Sequence, residues 1–69
     1  MTLITKFKSG KVITYENVDD VDLDVYDDYL YVYMVNGSIL RCRAHAVRFF
    51  IQRYATGEEY VVFPDKEKY

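Results

Sequence analysis

Asp28-Tyr29-Leu30-Tyr31-Val32-Tyr33-Met34-Val35-Asn36-Gly37-Ser38-Ile39-Leu40-Arg41-Cys42-Arg43 is the stretch that decides the fold class. Two runs rich in β-branched and aromatic residues flank Asn36-Gly37, the dipeptide that marks a tight hairpin turn because both residues accept positive φ. A β-hairpin joining residues 28–35 to 38–43 is predicted. With a two-residue loop, Val35 opposes Ser38, Tyr33 opposes Leu40 and Tyr31 opposes Cys42 on one face. The other face then carries Leu30, Val32 and Met34 with Ile39, Arg41 and Arg43. Both faces are largely apolar in that register, whereas a solvated antiparallel sheet has one polar side. The hairpin is therefore expected at the centre of the fold or in an interface.

Working outward, Ser9-Gly10 joins residues 2–8 to 11–16 in the same manner. Residues 20–25 (Asp-Val-Asp-Leu-Asp-Val) alternate strictly, as a strand with one buried face does. A shift of 27 residues lays Leu3 on Leu30, Gly10 on Gly37, Val12 on Ile39 and Ile13 on Leu40, and after a one-residue gap Val21 falls on Val47. This self-similarity predicts a strand over residues 47–51. Local signals point the other way: Val47, Phe50, Ile51 and Tyr54 stand at helical spacing, Ala44 and Ala46 favour helix, and Gly57 stands where a C-terminal cap belongs. Following them gives an α+β fold, a small antiparallel β-meander sheet of five or six strands with one helix near residues 44–55; an all-β fold is the alternative. A last strand over 59–63 is stopped by Pro64, so residues 1–64 form a single domain and 65–69 a polar tail.

Sixty-nine residues leave room for one core. A chain of this size buries only about 60 % of the surface its unfolded form exposes, which leaves little stability to spare. Cys42 is the single cysteine and His45 the single histidine, so no internal disulfide forms and no metal site is expected. A composition 51 % hydrophobic and 17 % aromatic is a high apolar load for such a core, and a homodimer is expected to cover part of it. The N-terminus lacks the apolar run of about 7–15 residues of a secretory signal, and no stretch nears about 18 apolar residues, so a cytoplasmic protein without membrane contact is expected.

Charge is sorted along the chain beneath a net of −2. Lys6, Lys8 and Lys11 come first, residues 16–28 hold seven acids and no base, and Arg41, Arg43, Arg48 and Arg53 follow without an intervening acid. On a strand, Asp20, Asp22 and Asp24 recur on one side at roughly 6.6–6.8 Å. That is about two steps of a nucleic-acid strand at 3.4 Å per phosphate. With Asp27 and Asp28, this row is the candidate surface for a protein partner with a basic, nucleic-acid-handling groove, the chain acting as an inhibitor or regulator by nucleic-acid mimicry. Charged rows also serve simply to guard edge strands. The acids do not fit a calcium loop, because Val25 stands where the EF-hand needs glycine and no glutamate closes it.

The alternative reading is an RNA or single-stranded DNA binder using Arg41, Arg43, Arg48 and Arg53 with tyrosines 29, 31 and 33 as stacking platforms. The two-residue register argues against it by placing arginines and tyrosines on opposite faces. A third class is a structural, self-associating subunit. Glycine-rich phosphate loops and metal-protease motifs are absent, and the only serines, Ser9 and Ser38, flank turns, so the chain is expected to be non-enzymatic and to need no cofactor.

Overall fold

The computed structural model describes residues 1–67. Lys68 and Tyr69, the end of the predicted tail, lie outside the described residues. Seven strands run in chain order: β1 Thr2–Phe7, β2 Val12–Tyr15, β3 Val18–Asp24, β4 Tyr29–Met34, β5 Ile39–Arg43, β6 Val47–Arg53 and β7 Glu59–Val62. Two 3₁₀ turns, Ala44–Ala46 and Pro64–Lys66, complete the elements. The strands form a four-stranded sheet in the order β2-β1-β6-β7 and a three-stranded sheet in the order β3-β4-β5. Every pairing is antiparallel.

The helix expected over residues 44–55 does not exist, and with it the α+β assignment falls; the fold is all-β. The physical reason is a β-bulge. β6 pairs Phe49 with Lys6 but Val47 with Phe7, leaving Arg48 as the extra residue. Side chains normally alternate along a strand, but an inserted residue shifts the phase by one. Val47 and Phe50 consequently both point inward, three positions apart, which imitates a helical period. Gly57 is not a helix cap either. It closes the β6–β7 hairpin, donating its N–H to the Tyr54 carbonyl at 3.0 Å while the Tyr54 N–H bonds the Glu58 carbonyl at 2.9 Å. The strand that the 27-residue self-similarity predicts over 47–51 lies within β6.

The same turn occurs in two other hairpins, β4–β5 and β1–β2. Gly37 N–H bonds the Met34 carbonyl and Met34 N–H the Ser38 carbonyl; Gly10 and Phe7 repeat the pattern with Phe7 and Lys11. Each is a three-residue loop ending in a left-handed residue, and Gly37 at φ +90° adopts a conformation that costs a side-chain-bearing residue energy. The expected two-residue loop at Asn36-Gly37 is thus replaced by one a residue longer. The register moves with it: Tyr33 pairs with Ile39, Val32 with Leu40, Tyr31 with Arg41, Leu30 with Cys42 and Tyr29 with Arg43.

The two sheets enclose one core of Leu3, Val18, Leu30, Val32, Val47 and Phe50, drawn from both. A corner links them at Asn17, whose left-handed backbone (φ 59°) turns β2 into β3. Met1 and Val18 exchange two hydrogen bonds across this corner, and Asn17 accepts from the Val35 N–H. A second bulge, at Asp19, resets the alternation so that Val18, Val21 and Leu23 face inward and Asp20 and Asp22 outward. Part of the remaining apolar surplus lies on the outer face of the four-stranded sheet, where Ile4, Ile51 and Val61 stand in one cross-strand row, and part on the three-stranded sheet and its loops, at Tyr26, Val35, Ile39 and Leu40.

Thr5 is 1 % exposed between Ile13 and Phe50, and its hydroxyl finds no hydrogen-bond partner among the described residues. Thr5→Val keeps the shape and removes a buried, unsatisfied polar group. It is expected to stabilise the fold by about 1 kcal/mol. Thermal denaturation would read this as a Tm increase of roughly 4–8 °C, given the small unfolding entropy of a 60–100-residue domain.

Candidate functional site: the outer face of the three-stranded sheet

The corrected register builds a face of three parallel rows. β3 pairs Asp20 with Tyr33, Asp22 with Tyr31 and Asp24 with Tyr29. β4 continues Tyr31 to Arg41 and Tyr29 to Arg43 on β5. One surface therefore carries a row of carboxylates, a row of phenol rings, and a row of Ile39, Arg41 and Arg43. The tyrosines and arginines, expected on opposite faces, share one.

The tyrosines form a ladder, with ring centroids 5.7 Å apart for Tyr29 and Tyr31 and 6.4 Å for Tyr31 and Tyr33. Both arginines turn onto the last ring of this ladder: the guanidinium carbons of Arg41 and Arg43 lie 4.6 and 4.5 Å from the Tyr29 centroid. Arg43 also donates to the Asp27 carbonyl at 3.3 Å. Stacking of this kind contributes about 0.5–1 kcal/mol at an exposed site. The strands that carry the arginine and aspartate rows, β5 and β3, are two strand spacings, roughly 9.6 Å, apart. Among the described residues, neither arginine makes an ion pair.

The five acids differ in what they have left to offer. Asp24 Oδ1 accepts from the N–H groups of Tyr26 and Asp27, so this carboxylate closes its own turn. Asp28, at φ 63°, accepts the His45 N–H on Oδ1 and meets His45 Nδ1 with Oδ2, pinning the β3–β4 turn to the Ala44–Ala46 turn. Its carbonyl also takes the Ala44 N–H at 3.0 Å. Asp20 Oδ1 accepts the Val21 N–H at 2.8 Å. Asp20, Asp22 and Asp27 are exposed.

The four arginines are not brought together. Arg48 is the bulged residue of β6, and Arg53 lies on the four-stranded sheet, its Nε bonded to Glu59 at 2.6 Å. Only Arg41 and Arg43 belong to the face described here. Tyr31 and Tyr33 are the residues that sequence reasoning left out of the acidic site. The available signal was the recurring pattern Lys8-Ser9-Gly10, Val35-Asn36-Gly37 and Ala55-Thr56-Gly57, three loops of one design, of which the second sets tyrosine and arginine on the same side; the pairing of tyrosine with aspartate follows instead from the loop of residues 25–28 between β3 and β4.

Cys42 lies on the inner side of β5, opposite Leu30. Burial pushes its thiol above the ordinary range. Tyr15 is raised for the same reason, with Cys42 as a smaller contribution. His45 Nδ1 is engaged by Asp28 rather than by the thiol. Among the described residues, no group of three or more histidine, cysteine or acidic side chains is arranged to hold a metal ion. No helix of the described residues is long and apolar enough to cross a membrane.

No protein-family model matches the chain, no curated protein matches it, and no solved structure matches it. The functional reading therefore stands on this geometry.

A raised thiol pKa leaves less of the reactive thiolate near neutral pH. Cys42 is expected to react with a colorimetric disulfide reagent at pH 7.5 several-fold more slowly in the folded chain than in denaturant. The folded-state rate should keep climbing above about pH 10, where the unfolded thiol, with a pKa of about 8.5, is levelling off.

Proposed function

We propose that this chain is a small, non-enzymatic binding protein that modulates or inhibits a larger, basic, nucleic-acid-handling protein through the β3–β4 part of this face. One observation carries the reading. Tyr31 and Tyr33 each stand beside an exposed aspartate, Asp22 and Asp20, and among the described residues hold no cation of the chain's own, whereas Tyr29 is covered by two. A carboxylate next to a half-exposed tyrosine ring suits a lysine or arginine side chain, which gains an ion pair and a ring contact together. The strand spacing of the aspartates supports a partner whose basic groups are set to receive phosphates. Asp24, Asp27 and Asp28 contribute charge to the same end, with Asp24 and Asp28 also holding the turns.

The test is capture from nuclease-treated lysate by wild-type bait beside an Asp20→Asn/Asp22→Asn bait, followed by titration of the purified partner against both. Loss of at least about 1.4 kcal/mol, tenfold in Kd, is expected in the variant. Binding should also weaken steeply with added salt, because exposed charges are screened within about 8–10 Å at 0.1–0.15 M. A partner held equally by both baits would exclude the acidic face.

A second reading has gained a specific observation: arginines and the tyrosine ladder occupy one face, the arrangement that single-strand binders use. It is supported by only two of the four arginines, and the aspartate row lies on the same surface to repel phosphate. Fluorescence anisotropy with a labelled single-stranded oligonucleotide decides it. If nucleic acid is the ligand, Arg41→Ala/Arg43→Ala should lower affinity and shrink the logarithmic salt slope by roughly 0.7 per lost phosphate contact. Unchanged binding in that variant would dismiss this reading.

A further inference from the structure

The same acidic strand is also an open edge. β3 pairs with β4 on one side. On its other side, hydrogen bonding to the β1 end of the four-stranded sheet stops at Val18, which is bonded to Met1. Over residues 20–24 that side has no strand neighbour among the described residues. The Val21 N–H is capped there by its neighbour's side chain, Asp20 Oδ1, at 2.8 Å. Amide N–H groups alternate sides along a strand, so the Leu23 N–H points the same way.

Inward of this edge the surface is grooved. Val21, Leu23 and Val25 of the β3 side face Phe50, Gln52 and Val62 across a groove of about 380 Å³. A larger hollow of about 960 Å³ shares Gln52 and Val62 with it and continues toward Tyr54 and Tyr60. β7, on the far side, is itself an edge strand. Among the described residues the two sheets are thus unsealed between β3 and β7, with half-buried valines and a leucine lining the gap.

We infer that this seam takes an added β-strand: an extended segment of five or six residues from a basic partner, alternating apolar residues with lysine or arginine. The inference rests on the basic-partner reading and names the form in which that partner is bound. Residues 20–24 offer about 17 Å of edge at 3.3–3.4 Å per residue. A strand laid there has one set of side chains beside Val21 and Leu23, pointing into the apolar groove. The alternate set stands beside Asp20 and Asp22 on the outer face. Among the described residues the only charged group lining the groove is Glu67, and the larger hollow adds Glu58. Charge therefore selects a cationic strand and rejects an acidic one, while backbone hydrogen bonds supply affinity as in other strand-addition complexes. Asp20 releases the Val21 N–H to the incoming carbonyl and turns to the incoming cation.

The experiment titrates the ¹⁵N-labelled full chain with a capped hexapeptide of alternating valine and lysine. Comparison peptides are the same sequence N-methylated at alternate amides, made in both phases, and a valine–glutamate analogue. The expected result is shifted, exchange-protected Val21 and Leu23 amides with the valine–lysine peptide. At least one N-methylated phase should bind roughly tenfold more weakly, and the glutamate analogue should not bind. Absence of these shifts, or equal affinity for the parent and both N-methylated peptides, would overturn strand addition. If affinity were then still lost in Asp20→Asn/Asp22→Asn, the acidic face would survive as a docking surface without the seam. Equal protection by the glutamate analogue would overturn the choice of a basic occupant.

Discussion

The left-handed residue that ends each hairpin loop governs everything placed downstream of it. Gly37 at φ +90° lets residues 35–37 turn the chain in three residues, and that count decides which side of β5 faces the core. Because side chains alternate with a period of two, a loop shorter by one residue would send Arg41 and Arg43 inward against Leu30 and Val32. Burying two guanidinium groups without partners would cost more than so small a core returns. The longer loop instead leaves Cys42 inside and stands the arginines on the tyrosine ladder.

Two further left-handed residues, Asn17 at the corner between the sheets and Asp28 at the end of the β3–β4 loop, both belong to the types that tolerate the conformation. Each is locked by hydrogen bonds to a distant segment: Asn17 to Val35, Asp28 to Ala44 and His45. In a chain whose single cysteine is free, these junctions hold two small sheets over six core residues. The acidic block of the sequence is consequently not one functional unit. Asp24 and Asp28 build turns, and Asp20 and Asp22 are the row presented outward.

The sequence made the hairpins, β3 and the last strand legible, because alternation and Gly-containing turns are local signals. It also placed Asp20 and Asp22 on one face, since parity within a single strand needs no knowledge of the partner. What it hid were the two insertions. The bulge at Arg48 lent β6 the spacing of a helix, and only the pairing of β6 with β1 reveals that Val47 and Phe50 share a sheet face. The third loop residue hid the register of β5, and with it the meeting of tyrosines and arginines. Both are single-residue phase shifts, whose consequence is a change of face rather than a change of strand.

The exposed aspartates of β3 answer to two pressures at once. An edge strand with free amides and a half-buried apolar lining is a template for its own kind, and a second copy of β3 would be the nearest complementary strand. Antiparallel self-pairing, however, would set the carboxylates of Asp20, Asp22 and Asp24 against their own copies, and like charges directly opposed across strands destabilise the pair. The Asp20 side chain adds to this by occupying the Val21 N–H. Guarding the edge and the proposed recognition of a basic partner are therefore the same arrangement seen from two sides. What repels an identical acidic strand attracts a cationic one, and Tyr31 and Tyr33 extend that preference onto the adjoining face.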